Sequence, residues 1–209
     1  MASLLAASLA TPSLAQESGS AFTGFYGGVE VGAARQSTKT TVTPPTGLGA
    51  AATKTKQRTG LDYGGFAGYG YTFDNGLYLG VEGSINQASG KSKPLTLAGV
   101  STLEKAGLEA ALTGRVGYTV TEDILVYGIA GVNRRQSTFN LADGLKKKQT
   151  LSGSVFGVGA AYAFGDNLIG RVEIERSNFG KKSFINAALP TVRYNPSATR
   201  VSVGLAYKF

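Results

Sequence analysis

Residues 64–84 read GGFAGYGYTFDNGLYLGVEGS, and the reading of this stretch decides the fold. After Asp74-Asn75-Gly76, the apolar Leu77, Leu79 and Val81 alternate with Tyr78, Gly80 and Glu82, and the period of two continues with Ile85 against Ser84 and Asn86. Alternation of this kind marks a strand with two unlike faces. Asp, Asn and Gly between two such runs mark a tight turn, because Asn and Gly tolerate the positive φ that hairpins require. The stretch is therefore two antiparallel strands, one face apolar and the other carrying glycine, serine and a carboxylate.

The same texture extends outward from this hairpin. Eight strands are predicted at about 24–36, 62–73, 77–88, 108–120, 124–140, 150–164, 168–180 and 198–209. Tight polar turns at Asp74-Asn75-Gly76, Thr121-Glu122-Asp123 and Gly165-Asp166-Asn167 alternate with long basic connections at 37–60, 89–107, 141–149 and 181–196. An even number of antiparallel strands, with short turns at one end and long loops at the other, is the pattern of a transmembrane β-barrel. The expected fold is all-β: an eight-stranded antiparallel transmembrane barrel with short periplasmic turns and long extracellular loops.

Which face meets lipid follows from the side chains. On the fourth strand Leu108, Leu112, Val116, Tyr118 and Val120 oppose Glu109, Thr113, Arg115 and Thr119; on the seventh Leu168, Val172 and Ile174 oppose Arg171, Glu173 and Glu175. Phe25, Tyr69, Tyr71, Phe73, Tyr118, Tyr162, Phe164, Tyr207 and Phe209 gather near the short-turn ends, where they would form an interfacial ring. Glycines 28, 64, 68, 80, 117, 157 and 159 fall on the opposite face, as suits a crowded narrow interior. A soluble ligand-binding barrel with the apolar face turned inward is the alternative. The fifth strand, ILVYGIAGV at 124–132, is apolar on both faces, so its inner side stays open.

Composition narrows the chemistry. The 209 residues include 30 Gly but no Cys, His or Trp, and the net charge is +8. Thiolate and imidazole ligands are absent, which leaves carboxylates, hydroxyls, Lys, Arg and Tyr; no metal or cofactor is expected. Beyond the extreme N-terminus no stretch approaches the roughly 18 to 20 apolar residues of a spanning helix. The opening MASLLAASLATPSLAQE reads as a signal peptide over 1–15, cleaved before Gln16, with a lead-in at 16–23 and the barrel at 24–209. No Lys or Arg precedes its apolar core, so the recorded start is expected to be internal to a longer reading frame.

FTGFYGGVEVG at 22–32, the hairpin at 64–84, LTGRVGYTVTEDILVYGIAGV at 112–132 and GVGAAYAFGDNLIGRVEIE at 157–175 together resemble a known family. It is the group of small eight-stranded outer-membrane barrels related to the OmpA transmembrane domain, and within it the alphaproteobacterial surface antigens of opacity or "porin family" type. The resemblance implies that VSVGLAYKF, with Val201, Val203, Leu205, Tyr207 and Phe209, is the signal read by the barrel-assembly machinery. It also implies a lumen filled by charged pairs: Glu82, Arg115, Arg171 and Glu173 match inward-facing positions. The family's lumen Glu on the sixth strand corresponds to Ala161, so Arg115 and Arg171 are expected to converge on Glu82 and Glu30 instead, within a lumen network that also holds Glu173 and Glu175; separate groups solvated by lumen water are the alternative.

Charge placement points to the role. Lys54, Lys56, Arg58, Lys91, Lys93, Lys146, Lys147, Lys148, Lys181 and Lys182 lie in the long connections, with Arg134 and Arg135 read as strand-tip cations beside them; Asp74, Glu122, Asp123 and Asp166 occupy the short turns. A basic crown at the outer end suits lipopolysaccharide phosphates and outer-membrane lipid, or, more sharply, host polyanions or glycans, rather than nucleic acid. The expected function is a non-enzymatic outer-membrane surface protein contributing to envelope integrity and adhesion. Outer-membrane lipases, proteases and lipid-modifying barrels generally use a His, which this chain lacks. The alternatives are a narrow, low-conductance porin and, by resemblance, a haem-binding surface protein with Tyr in place of His.

Overall fold

The computed structural model describes residues 20–43, 52–89, 95–97, 100–140, 146–180, 182–186 and 189–209; side chains at 38, 40–54, 56, 89–106, 137–149 and 181–196 lie outside that description. The proposed signal peptide and most of the lead-in therefore fall outside the described residues. Eight barrel strands follow in order: β1 (Gly24–Thr43), β2 (Ala52–Thr72), β3 (Leu77–Ser89), β4 (Val100–Thr121), β5 (Ile124–Asn140), β6 (Lys146–Phe164), β7 (Leu168–Phe179) and β8 (Leu189–Lys208). Each pairs antiparallel with the next, and β8 returns to β1 in a continuous register from Tyr26↔Lys208 to Thr43↔Thr191. The cylinder is closed, which leaves no strand edge to face hydrocarbon unsatisfied. Two short strands, Leu95–Leu97 and Lys182–Asn186, pair with the first residues of β4 and β8.

The strands run further than the sequence reading placed them. β1 continues to Thr43 rather than ending near 36, β2 begins at Ala52 rather than 62, β4 at Val100 rather than 108, and β8 at Leu189 rather than 198. Much of each expected long loop is thus ladder. The reason is environmental: alternation in hydropathy records lipid on one face, and it vanishes where both faces meet water. The antiparallel ladder itself needs only backbone partners, and Thr-rich segments such as 38–43 favour extended backbone. Tight turns fall where expected, with Gly76 at φ +82° and Gly165 at φ +79°.

The exposed surface is apolar, and the charged side chains of the strands' middle sections are enclosed, the reverse of a water-soluble barrel. Leu112 and Val116 are each 58 % exposed, whereas Glu173 and Asn133 are each 2 %. The fifth strand resolves in the same frame: Leu125, Tyr127 and Ile129 point inward and Val126 and Val132 outward. Outward aromatics near the short turns pair edge to face, Phe25 with Tyr69 at 4.8 Å and Tyr162 with Phe164 at 4.8 Å between ring centroids. At the other limit of the apolar belt, Arg35, Arg134 and Arg176 take the first outward positions beyond Ala33, Val132 and Ile174.

Candidate functional site in the barrel lumen

The lumen is filled in layers. At the short-turn end Phe22, Phe66, Tyr78, Leu125, Tyr127, Ile129, Ala161, Ala163, Ile169 and Ala206 form a buried apolar cluster. Phe22 reaches it from the segment preceding β1, held by a Thr23 N–H donated to the Ser20 carbonyl at 2.9 Å and a Thr72 N–H donated to Thr23 Oγ1 at 3.0 Å. A Cβ on Gly70 would stand 2.5 Å from Tyr78 Oη and 2.8 Å from the Phe22 carbonyl oxygen, so the seat requires glycine there. The sequence placed Tyr78 on the inner face but left the side of Leu125, Tyr127 and Ile129 open, so this apolar layer was not anticipated.

The middle layer is ionic. Arg115 donates to Glu82 at 2.6 Å and to Glu173 at 2.5 Å; Arg171 donates to Glu82 at 2.6 Å and to Glu30 at 2.7 Å, with its Nε 3.5 Å from Glu173. Tyr127 Oη donates to Glu173 at 2.6 Å and Tyr26 Oη to Glu82 at 3.0 Å. The Arg171 guanidinium also covers the Phe66 ring at 3.3 Å. Glu82 is the shared acceptor of both arginines. Burying such charges is tolerable only because each is multiply paired.

Toward the outer end Arg200 meets Glu175, Glu30 at 3.0 Å and Asp62 at 3.2 Å, which links Glu175 to the middle layer. Arg135 binds Glu109 through Nε at 2.8 Å and Nη2 at 2.5 Å, and Asn133 donates to Glu109 at 2.7 Å and Ser177 at 2.9 Å. Arg135 is thus a lumen residue and not an outer cation; the unassigned parity of β5 hid this. Arg200 and Asp62 were not singled out from the sequence, although the outward Val201 and Leu61 beside them already fix their inward direction. Ala161 is buried in register with Arg171, and Glu173 on β7 supplies the carboxylate that its strand lacks.

Two small cavities lie between the layers among the described residues. One cavity of about 30 Å³ lies among Phe22, Phe66, Tyr78 and Tyr127, and one of about 20 Å³ lies among Asp62, Asn86, Glu109, Glu175 and Arg200. A single water needs roughly 10–15 Å³. Among the described residues no group of carboxylates is arranged to hold a metal ion.

Of the outer basic residues, Lys91, Lys93 and Lys181 lie outside the described residues. Lys54 and Lys56 belong to β2, Lys146, Lys147 and Lys148 open β6, and Lys182 opens a short strand, with their side chains outside the description; Arg58 stands on β2 opposite Gln36. Val201, Val203, Leu205, Tyr207 and Phe209 all face outward and are exposed.

A closed cylinder with an apolar outer wall, an aromatic girdle and an ion-paired interior defines an integral β-barrel of the bacterial outer membrane. The chain belongs to the outer membrane protein beta-barrel domain family, whose model matches residues 1–209. The 31 kDa outer-membrane immunogenic protein of Brucella melitensis is 33% identical over 155 residues, which cover 68% of this chain. That match spans 64% of the relative's length, less than two thirds of it. In fold the chain is similar to Neisserial surface protein A (TM-score 0.54, 18% identity, 90% of this chain and 98% of that one). It is also similar to the outer membrane protein OprG of Pseudomonas aeruginosa (TM-score 0.53, 14% identity, 90% and 96%).

Proposed function

We propose that this protein is a non-enzymatic surface barrel whose sealed trunk anchors strand extensions and basic connections outside the outer membrane. There it contributes to envelope integrity and to contact with lipopolysaccharide and with external polyanions or glycans. The observation that carries this reading is the filled lumen: aromatic, ionic and polar layers separated by cavities of about 20 and 30 Å³ leave room for isolated waters rather than a solute path. The naming of the Brucella relative as an outer-membrane immunogenic protein supports a surface role. In the same reading Val201, Val203, Leu205, Tyr207 and Phe209 serve as the assembly signal, and residues 1–15 as the leader. Eight strands enclose an interior just wide enough for side chains. Recording from the folded protein in a planar bilayer is the test: slight or no conductance is expected, and steps on the order of a nanosiemens would overturn the sealed-trunk reading.

A further inference from the structure

We infer that Arg35 and Arg176 form a clamp on the outer wall of the barrel for a phosphate of an outer-leaflet glycolipid. Six of the described arginines stand in two contrasting situations. Arg115, Arg135, Arg171 and Arg200 face the lumen, and each meets a carboxylate. Arg35 and Arg176 face outward and are exposed, and among the described residues neither meets a carboxylate: Arg35 donates to the neutral Gln57 amide, and Arg176 Nε lies 3.5 Å from Asn178 Oδ1. A guanidinium on a membrane-facing wall with only neutral neighbours leaves its charge to be met by an anion from outside the chain.

The register puts the two arginines on one outward row, on either side of β8, with Arg35 turned toward Gln57 on β2. Arg35 stands opposite Thr199 on β8, and Thr199 stands opposite Arg176 on β7. Paired Cα atoms of antiparallel strands are about 4.5–5.5 Å apart, so the two arginines flank Thr199 at about 10 Å from each other. From that spacing two long side chains can close on one tetrahedral phosphate once Arg35 exchanges the Gln57 amide for it, each offering paired N–H donors, with the threonine hydroxyl between them.

The rows beneath identify the ligand as a lipid. Ala33, Val201 and Ile174 pair in the next outward row, and Val31, Val203 and Val172 in the one after. Acyl chains lying on these rows would carry their phosphate to the level of Arg35 and Arg176. Arg134 occupies the same edge on β5, but its row neighbours are Ala110 and Ser152, so it has no second arginine and serves as a control. The inference rests on the outward orientation of the apolar wall and is independent of the sealed lumen and of adhesion by the basic connections.

Folded protein in detergent, titrated with bis-phosphorylated lipid A and followed by native mass spectrometry, tests it. An arginine near an anionic lipid surface is worth about fivefold in binding, so Arg35→Gln or Arg176→Gln should weaken retention about fivefold and the double variant about twenty-five-fold. Arg134→Gln should retain the lipid within about twofold, and Arg35→Lys/Arg176→Lys should fall between wild type and the double Gln variant. Fully dephosphorylated lipid A should bind as weakly as the double Gln variant binds the intact lipid, and millimolar inorganic phosphate should not displace the lipid. Unheated gel mobility reports that each variant is folded. Wild-type retention by the double Gln variant, an equal loss in Arg134→Gln, equal binding of the dephosphorylated lipid, or displacement by free phosphate would each overturn the clamp.

Discussion

Arg171→Met removes a lumen cation that meets three carboxylates and the Phe66 ring, and the expected loss follows from these contacts. The middle and outer layers joined through Arg115, Arg171 and Arg200 hold five carboxylates, Glu30, Asp62, Glu82, Glu173 and Glu175, against three arginines. Without Arg171 the ratio becomes five against two, and Glu30 and Glu82 each lose a close partner. Breaking a buried pair costs about 3–5 kcal/mol, and loss of the Phe66 contact adds about 0.5–1, so we expect a destabilisation of about 4 kcal/mol. Glu82→Gln should cost only about 1 kcal/mol, because Arg115 keeps Glu173, Arg171 keeps Glu30, and the carboxylate excess falls. The double variant restores the original imbalance at four against two. It should therefore be about 2 kcal/mol more stable than the sum of the single losses implies. Urea titration of the refolded barrel in phospholipid vesicles, read by unheated gel mobility and far-ultraviolet circular dichroism, supplies the three values. Additivity within about 0.5 kcal/mol would refute the argument that Glu82 is the shared acceptor.

Val203 lies in the middle of the lipid-facing row with Val31 and Val172, so Val203→Arg should cost about 2–4 kcal/mol in vesicle unfolding, whereas a barrel with its apolar face inside would lose more and fail to insert. Phe22→Ala empties a site in the apolar layer and should lower stability by about 3 kcal/mol in the same titration; an unchanged midpoint would show that the segment before β1 does not seal the barrel. Replacing Lys146, Lys147 and Lys148 with alanine should reduce binding of cells to an immobilised sulfated polysaccharide and flatten its dependence on salt, while unchanged binding would remove these residues from any adhesive role.

The membrane-embedded half of the fold was legible because lipid imposes a simple rule on alternate residues. Leu77, Leu79 and Val81 against Tyr78, Gly80 and Glu82 fix the direction of β3 without any tertiary information. The rule fails where its cause is missing. In 38–43 the sequence is polar at nearly every position, so nothing in the side chains marks the strand's continuation. In β5 both faces are apolar for different reasons, Val126 and Val132 for lipid and Leu125, Tyr127 and Ile129 for the inner cluster. Glu30, Glu82, Arg115, Arg171 and Glu173 could each be put on the inner face by parity. Their partners could not be read that way, because which carboxylate an arginine reaches depends on stagger between strands distant in sequence. Arg200, one residue before the outward Val201, is put on the inner face by the same parity rule.

The pairing of β1 with β8 also orders events in time. Tyr26 cannot find Lys208 until β8 has been made, so β1 keeps an unpaired edge until then, and no product lacking β8 can be sealed against hydrocarbon. Closure is a single late event that depends on β8. Any lesion in that segment is expected to leave the chain exposed to periplasmic proteases rather than to yield a weakened barrel.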